Sequence, residues 1–117
     1  LPYYGDDLRR ERLAATRAFC LHYLAHIEPY AARGLNFQAF DRLYMALQGF
    51  LQGLFMAHRT YPIAYNKWIQ EQVAEILGLP DLYAQLPGIL EVPTLAAPDL
   101  TRNGERLRQL VLANLVE

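Results

Sequence analysis

From Phe37 to His58, large side chains recur in alternating steps of three and four residues: Phe37, Phe40, Tyr44, Leu47, Leu51, Leu54 and His58. Only an α-helix of about six turns sets all seven along one line. A second line, Leu43, Ala46, Phe50, Gly53 and Ala57, runs beside it and carries smaller residues. Two adjacent apolar lines need partners on more than one side, so this helix is predicted to be central. Gly49 and Gly53 each cost a helix about 1 kcal/mol against alanine. A neighbouring helix that approaches closely at those positions is the physical reason to keep them. Asn36 is the expected N-cap.

Four further helices are readable around it, and no strand-like alternation of useful length occurs. The first starts at Asp6 or Asp7 and runs towards Tyr30, with Leu13, Phe19, Tyr23, Leu24 and Ile27 apolar. Pro29 is expected to bend or end it, and Gly34 to punctuate it. After a turn at Thr60 to Pro62, a third helix is predicted from Asn66, its N-cap, to Gly78 and Pro80, which end it. Trp68, Ile69, Val73, Ile76 and Leu77 form its expected buried face. A short fourth helix covers Asp81 to Leu86, and Pro87 to Pro98 reads as an irregular connector. The last runs from Asp99 to Leu115 with Leu107, Leu110, Val111 and Leu115 inward. The predicted fold is all-α: an antiparallel bundle of about five helices in one domain, 1–117, with a long central second helix.

Composition excludes several functions. At 117 residues, 53% hydrophobic and 20% charged, the chain can bury a core of its own. Its net charge of −1 gives no general basic field for nucleic acid and no polybasic membrane patch. Serine is absent, which removes a serine nucleophile, and no apolar run reaches the length of a membrane span. The lone cysteine, Cys20, cannot form an internal disulfide and fits a reducing, cytoplasmic setting. The amino end, LPYYGDDLRRER, carries no initiator Met and no apolar leader. The expectation is a C-terminal part of a longer, two-domain protein.

The densest chemistry lies in HRTYPIAYNKW, residues 58 to 68. It holds Lys67, the single lysine beside ten arginines. With Asn66 as N-cap, Lys67 falls in a helical first turn, where free amides and the dipole favour anions and disfavour a cation. That local inconsistency is a mark of function. Arg59 stands across the turn, Tyr61 and Tyr65 supply hydroxyls, and Trp68 supplies a face for a base or sugar. If the stretch is a phosphate site, Arg59, Tyr65 and Lys67 converge on one concavity walled by Trp68 or Tyr61. Its mouth then lies near the amino-terminal segment, and its cations lack carboxylate partners. If it is a packed corner, the cations diverge or pair with acids such as Glu71 or Glu75.

Other constellations are sparser. His22 and His26 are one helical turn apart near Glu28, and a shared metal would need His58 or a carboxylate as third ligand. Arg17 and His22 match the loose Arg-x4–6-His spacing of HEPN ribonucleases, although Ala18 stands where those motifs usually carry a polar residue. No carboxylate pair looks catalytic, since Asp6 and Asp7 belong to a helix start and Glu71 and Glu75 to an exposed helical face.

The stretch RTYPIAYNKWIQEQVAEILGLPDLY, residues 59 to 83, resembles the C-terminal helical domain of bacterial nucleotidyltransferase-fold proteins. These include relatives of the aminoglycoside and lincosamide nucleotidyltransferases. The resemblance extends from about Thr16 to Leu115, with its specific part at 59 to 69. It implies a helical domain that contacts the nucleotide and a small hydroxylated acceptor. A separate N-terminal α/β domain would supply paired carboxylates, and Mg with ATP or another nucleoside triphosphate would be needed. Carried over to this sequence, Arg59, Tyr65 and Lys67 become phosphate contacts. A chain without the metal-binding half is expected to be catalytically silent. The alternative is a helical module that dimerises or docks a partner without chemistry, for which the two lines of the central helix argue.

Overall fold

A computed structural model describes residues 5–59, 70–92, 95 and 97–116. The described residues form five α-helices and one π-helical segment, with no strand among them. The all-α bundle expected from the periodicity is therefore present.

Helix α1 (Asp6–Ala25) carries Asp6 and Asp7 in its first turn, where the dipole favours carboxylates, and the Gly5 carbonyl accepts the Arg9 N–H at 2.9 Å. The helix breaks at His26, three residues before Pro29. The reason lies in the proline ring, which presses on the carbonyl four residues back, that of Ala25, while Pro29 itself is accommodated in the first turn of α2 (Ile27–Ala32). His26 covers the break. Its N–H donates to the Tyr23 carbonyl at 3.1 Å and its ring Nδ1 to that of His22 at 2.8 Å. Gly34, with φ +75°, ends α2 in a Schellman turn: Leu35 N–H reaches the Tyr30 carbonyl at 2.9 Å and Gly34 N–H that of Ala31 at 3.0 Å.

That turn sets where α3 (Asn36–Ala57) begins. Leu35 takes the N-cap position, so Asn36 is the first helical residue and its side chain caps nothing, contrary to expectation. The Asn36 Oδ1 is buried without a hydrogen-bond partner among the described residues. Of the two apolar lines of α3, the one with smaller residues is the more completely buried, and Leu47 and Leu54 of the other join it in the core. Leu43, Ala46 and Phe50 are inaccessible to solvent, whereas Phe37 is 81% and Tyr44 39% exposed on the other line. The glycines mark close approach. A Cβ at Gly49 would meet the Phe19 ring at 2.9 Å and Cys20 Sγ at 3.0 Å, and one at Gly53 would meet Leu115 Cδ1 at 2.7 Å.

The third expected helix is described from Gln70 on, and its winding is π over Glu71–Ile76, with Leu77 N–H bonded to the Gln72 carbonyl at 2.9 Å. The wider turn changes which side chains face inward. Val73 is buried as predicted, but Ile76 is 46% exposed and Gln72 takes a buried place. Gly78, with φ +69°, closes the segment. Helix α4 (Pro80–Ile89) has Pro80 at its first position and continues through Pro87, so it outlasts the predicted end at Leu86. Helix α5 (Ala97–Asn114) starts two residues before the expected Asp99 and buries Leu100, Leu107 and Val111. Asn103 is buried with them and its amide donates to the Glu91 carbonyl at 3.0 Å.

The register is legible from cross-helix contacts. Thr16 meets Met56, and Cys20 Sγ lies 3.5 Å from the Ala46 carbonyl, so α1 and α3 are antiparallel. Arg10 and Leu115 wall one cavity while Leu24 and Gly104 wall another, so α1 is antiparallel to α5 as well. Helices α3 and α5 consequently run in the same direction, and the π segment and α4 belong to the stretch that returns the chain. No described helix is long and apolar enough to cross a membrane.

Candidate functional site

Antiparallel packing of α1 and α3 brings the end of one helix to the start of the other. Beyond Ala57, His58 closes α3 and Arg59 follows with φ +54°, a left-handed conformation that costs a non-glycine residue about 1 kcal/mol. Its N–H bonds the Met56 carbonyl at 3.2 Å. Its guanidinium lies 3.5 Å from Asp6 Oδ1, and both side chains are 59% exposed. The expectation that Arg59 has no carboxylate partner is therefore corrected. The partner comes from the start of α1, 53 positions away in sequence.

Asp6 also faces Arg9, whose Nε is 3.7 Å away and whose side chain is buried. Arg10 pairs with Asp7 on the next turn of the same corner. Three arginines thus stand against two aspartates at the end of the bundle where Arg59 emerges. An exposed pair such as Arg59–Asp6 is worth less than about 1 kcal/mol. It leaves further N–H donors of the guanidinium for a stronger anion, because arginine carries five. The chemistry available at this corner is recognition of an oxyanion. Tyr61, Tyr65, Lys67 and Trp68, together with the expected Asn66 cap, lie outside the described residues.

The other candidates separate. His22 and His26 do meet, edge to face with ring centroids 4.6 Å apart, but His26 Nδ1 is engaged by the His22 carbonyl. His58 closes α3 towards the start of α1, several turns of that helix from His22. No group of three or more metal-binding side chains occurs among the described residues. Arg17 and His22, five residues apart on α1, point about 140° away from each other. Arg17 lines a cavity with Leu115, whereas His22 is exposed beside His26.

Two features escaped the reading of the sequence. Arg42 on α3 lies over the rings of both Tyr23 and Tyr30, at 5.4 and 5.5 Å from their centroids, and a hydrogen bond with Tyr30 first, then the nearby Asp41, raises its guanidinium above the ordinary range. The three residues meet only once α1, α2 and α3 are folded together, so no spacing announces them. Between α3 and α4 there is also a cavity of about 220 Å³ walled by Leu47, Leu51, Leu86 and Leu90, with Tyr44 and Tyr83 among its lining. Comparisons of the chain with protein-family models, with curated proteins and with solved structures find no match.

Proposed function

We propose that this chain is the helical substrate-binding domain of a nucleotidyltransferase that transfers a nucleoside monophosphate to a small hydroxylated acceptor. The observation that carries the reading is the placement of Arg59, exposed at a corner of three arginines where α3 hands over to the stretch that holds Lys67. A phosphate approaching there would exchange a weak, solvent-screened contact with Asp6 for charge-assisted bonds. Tyr65 and Lys67 would add contacts to the same group, with Tyr61 and Trp68 beside them. Phosphoryl transfer needs metal ions to neutralise charge developing on the phosphates, and arginine and lysine alone position the group. Mg with ATP or another nucleoside triphosphate, and the carboxylates that hold the metal, would belong to the partner N-terminal domain. A reducing cytoplasm suits the buried Cys20 thiol.

The test is a titration of Mg–ATP into the longer protein, with and without Lys67→Ala. A loss of affinity of about tenfold is expected for removal of one charge-assisted phosphate contact. Unchanged affinity and rate would take Lys67 out of the site.

A second reading, a module that dimerises or docks a helical partner, rests on the exposed Phe37 and Tyr44 of α3. Sedimentation distinguishes it in part: a monomer unaffected by Phe37→Asp speaks against it.

A further inference from the structure

Arg17 sits in the middle of α1, mostly shielded from solvent, and its Nε is buried with no hydrogen-bond partner among the described residues. Buried donors are almost always paired, and leaving one unpaired is costly, so an orphan of this kind asks for an acceptor that arrives from elsewhere. The same arginine lines a cavity of about 320 Å³ together with Arg10, Leu13, Ala14, Leu115 and Val116. Residues 10, 13, 14 and 17 follow helical spacing, so they form one face of α1, with the two arginines about 10 Å apart along its axis. Leu13 and Leu115 are buried and make an apolar floor, while Val116 is exposed at the rim. No carboxylate is among the described lining residues.

We propose that this cavity binds a small oxyanion, a carboxylate or a phosphate, carried on a short apolar body. On binding, the guanidinium of Arg17 turns its Nε and a neighbouring terminal nitrogen to the oxygens, the bidentate geometry in which arginine excels. The apolar body lies on Leu13 and Leu115. Arg10, although engaged by Asp7, adds positive potential at the other end. The site shares Arg10 with the corner at Arg59 but centres on Arg17, two turns further along α1, and does not depend on nucleotidyl transfer.

Arginine Nε–H groups can be followed individually by nitrogen-correlated NMR, with the Arg17 signal assigned through its loss in Arg17→Lys. Titration with hexanoate, and separately with hexyl phosphate, is expected to move the Arg17 Nε–H signal saturably while those of Arg102 and Arg108, paired with Asp99 and Glu105 on α5, stay in place. Whichever compound saturates at lower concentration names the anion. Inorganic phosphate, lacking the apolar body, should bind at least about tenfold more weakly. Arg17→Leu should abolish saturable binding while melting at the same temperature as the parent or higher, because it removes an unpaired buried donor. A structural arginine would instead melt lower on that substitution. Shifts of equal size at every arginine, absence of saturation with both compounds, equal affinity for inorganic phosphate, or a lower melting temperature for Arg17→Leu would overturn the proposal.

Discussion

The two apolar lines of α3 are buried to different degrees. The line through Ala46, Phe50 and Gly53, with Gly49 beside it, is sealed against α1 and Leu115, and the line of larger residues buries Leu47 and Leu54 but leaves Phe37 and Tyr44 at the surface. Side-chain size works against intuition here because it is backbone approach that makes the core. Where glycine or alanine stands on α3, Phe19, Cys20 and Leu115 can come within contact of the helix backbone. Along the other line, Tyr44, Leu47 and Leu51 wall a cavity of about 220 Å³ between α3 and α4. The sealed line, with Leu47 and Leu54 of the other, therefore carries stability, and the open positions, with the corner at Arg59, are where recognition can be accommodated.

Substitutions can break or sharpen that contrast. Phe50 is inaccessible on the sealed face, and Phe50→Ala should lower unfolding free energy by about 3–5 kcal/mol in denaturant titration. An effect below about 1 kcal/mol would mean that the sealed face is not the core. The Cys20 thiol, on α1 against the same face, is pushed up from 9.0 to about 12 by burial. The unfolded thiol loses its proton near pH 9 and the folded one near 12, so the contribution is fully present below pH 9 and is lost as pH rises between these values. The expected slope is up to about 1.4 kcal/mol per pH unit there, and it should be missing from Cys20→Ala in parallel urea titrations. Gly53→Ala gains about 1 kcal/mol of helix propensity but drives a methyl into Leu115, and a net loss of about 1 kcal/mol is expected. Combining it with Leu115→Ala should make the two effects less than additive. On the open face, Phe37→Ala should change stability by less than about 0.5 kcal/mol, and a larger loss would show that this line is sealed too.

What the sequence made legible follows from local rules. The alternation of three and four fixed α3, Asp6 and Asp7 marked the start of α1, and Gly34 and Gly78 mark ends because a left-handed turn is nearly free for glycine. The misses are tertiary. Asn36 lost the cap because the Schellman turn of α2 had already placed Leu35 there. Pro29 broke the helix at its carbonyl clash and not at its own position. The π winding that buries Gln72 in place of Ile76 leaves no trace in a 3.6-residue period. Of the candidate site, Arg59 was found as an exposed cation, but its neighbour Asp6 could be known only after α1 and α3 had paired. The Arg42–Tyr23–Tyr30 cluster was out of reach for the same reason.

Recognition is proposed at the Arg59 corner, whereas the sealed face of α3 carries stability. The most direct measurement is kcat/KM for nucleotide transfer in the longer protein, for Arg59→Ala, with its melting temperature recorded alongside. A fall of about tenfold or more with unchanged melting is predicted, since an exposed pair contributes little to stability while a phosphate contact carries affinity. Unchanged kcat/KM, or a loss that tracks a lowered melting temperature, would contradict it.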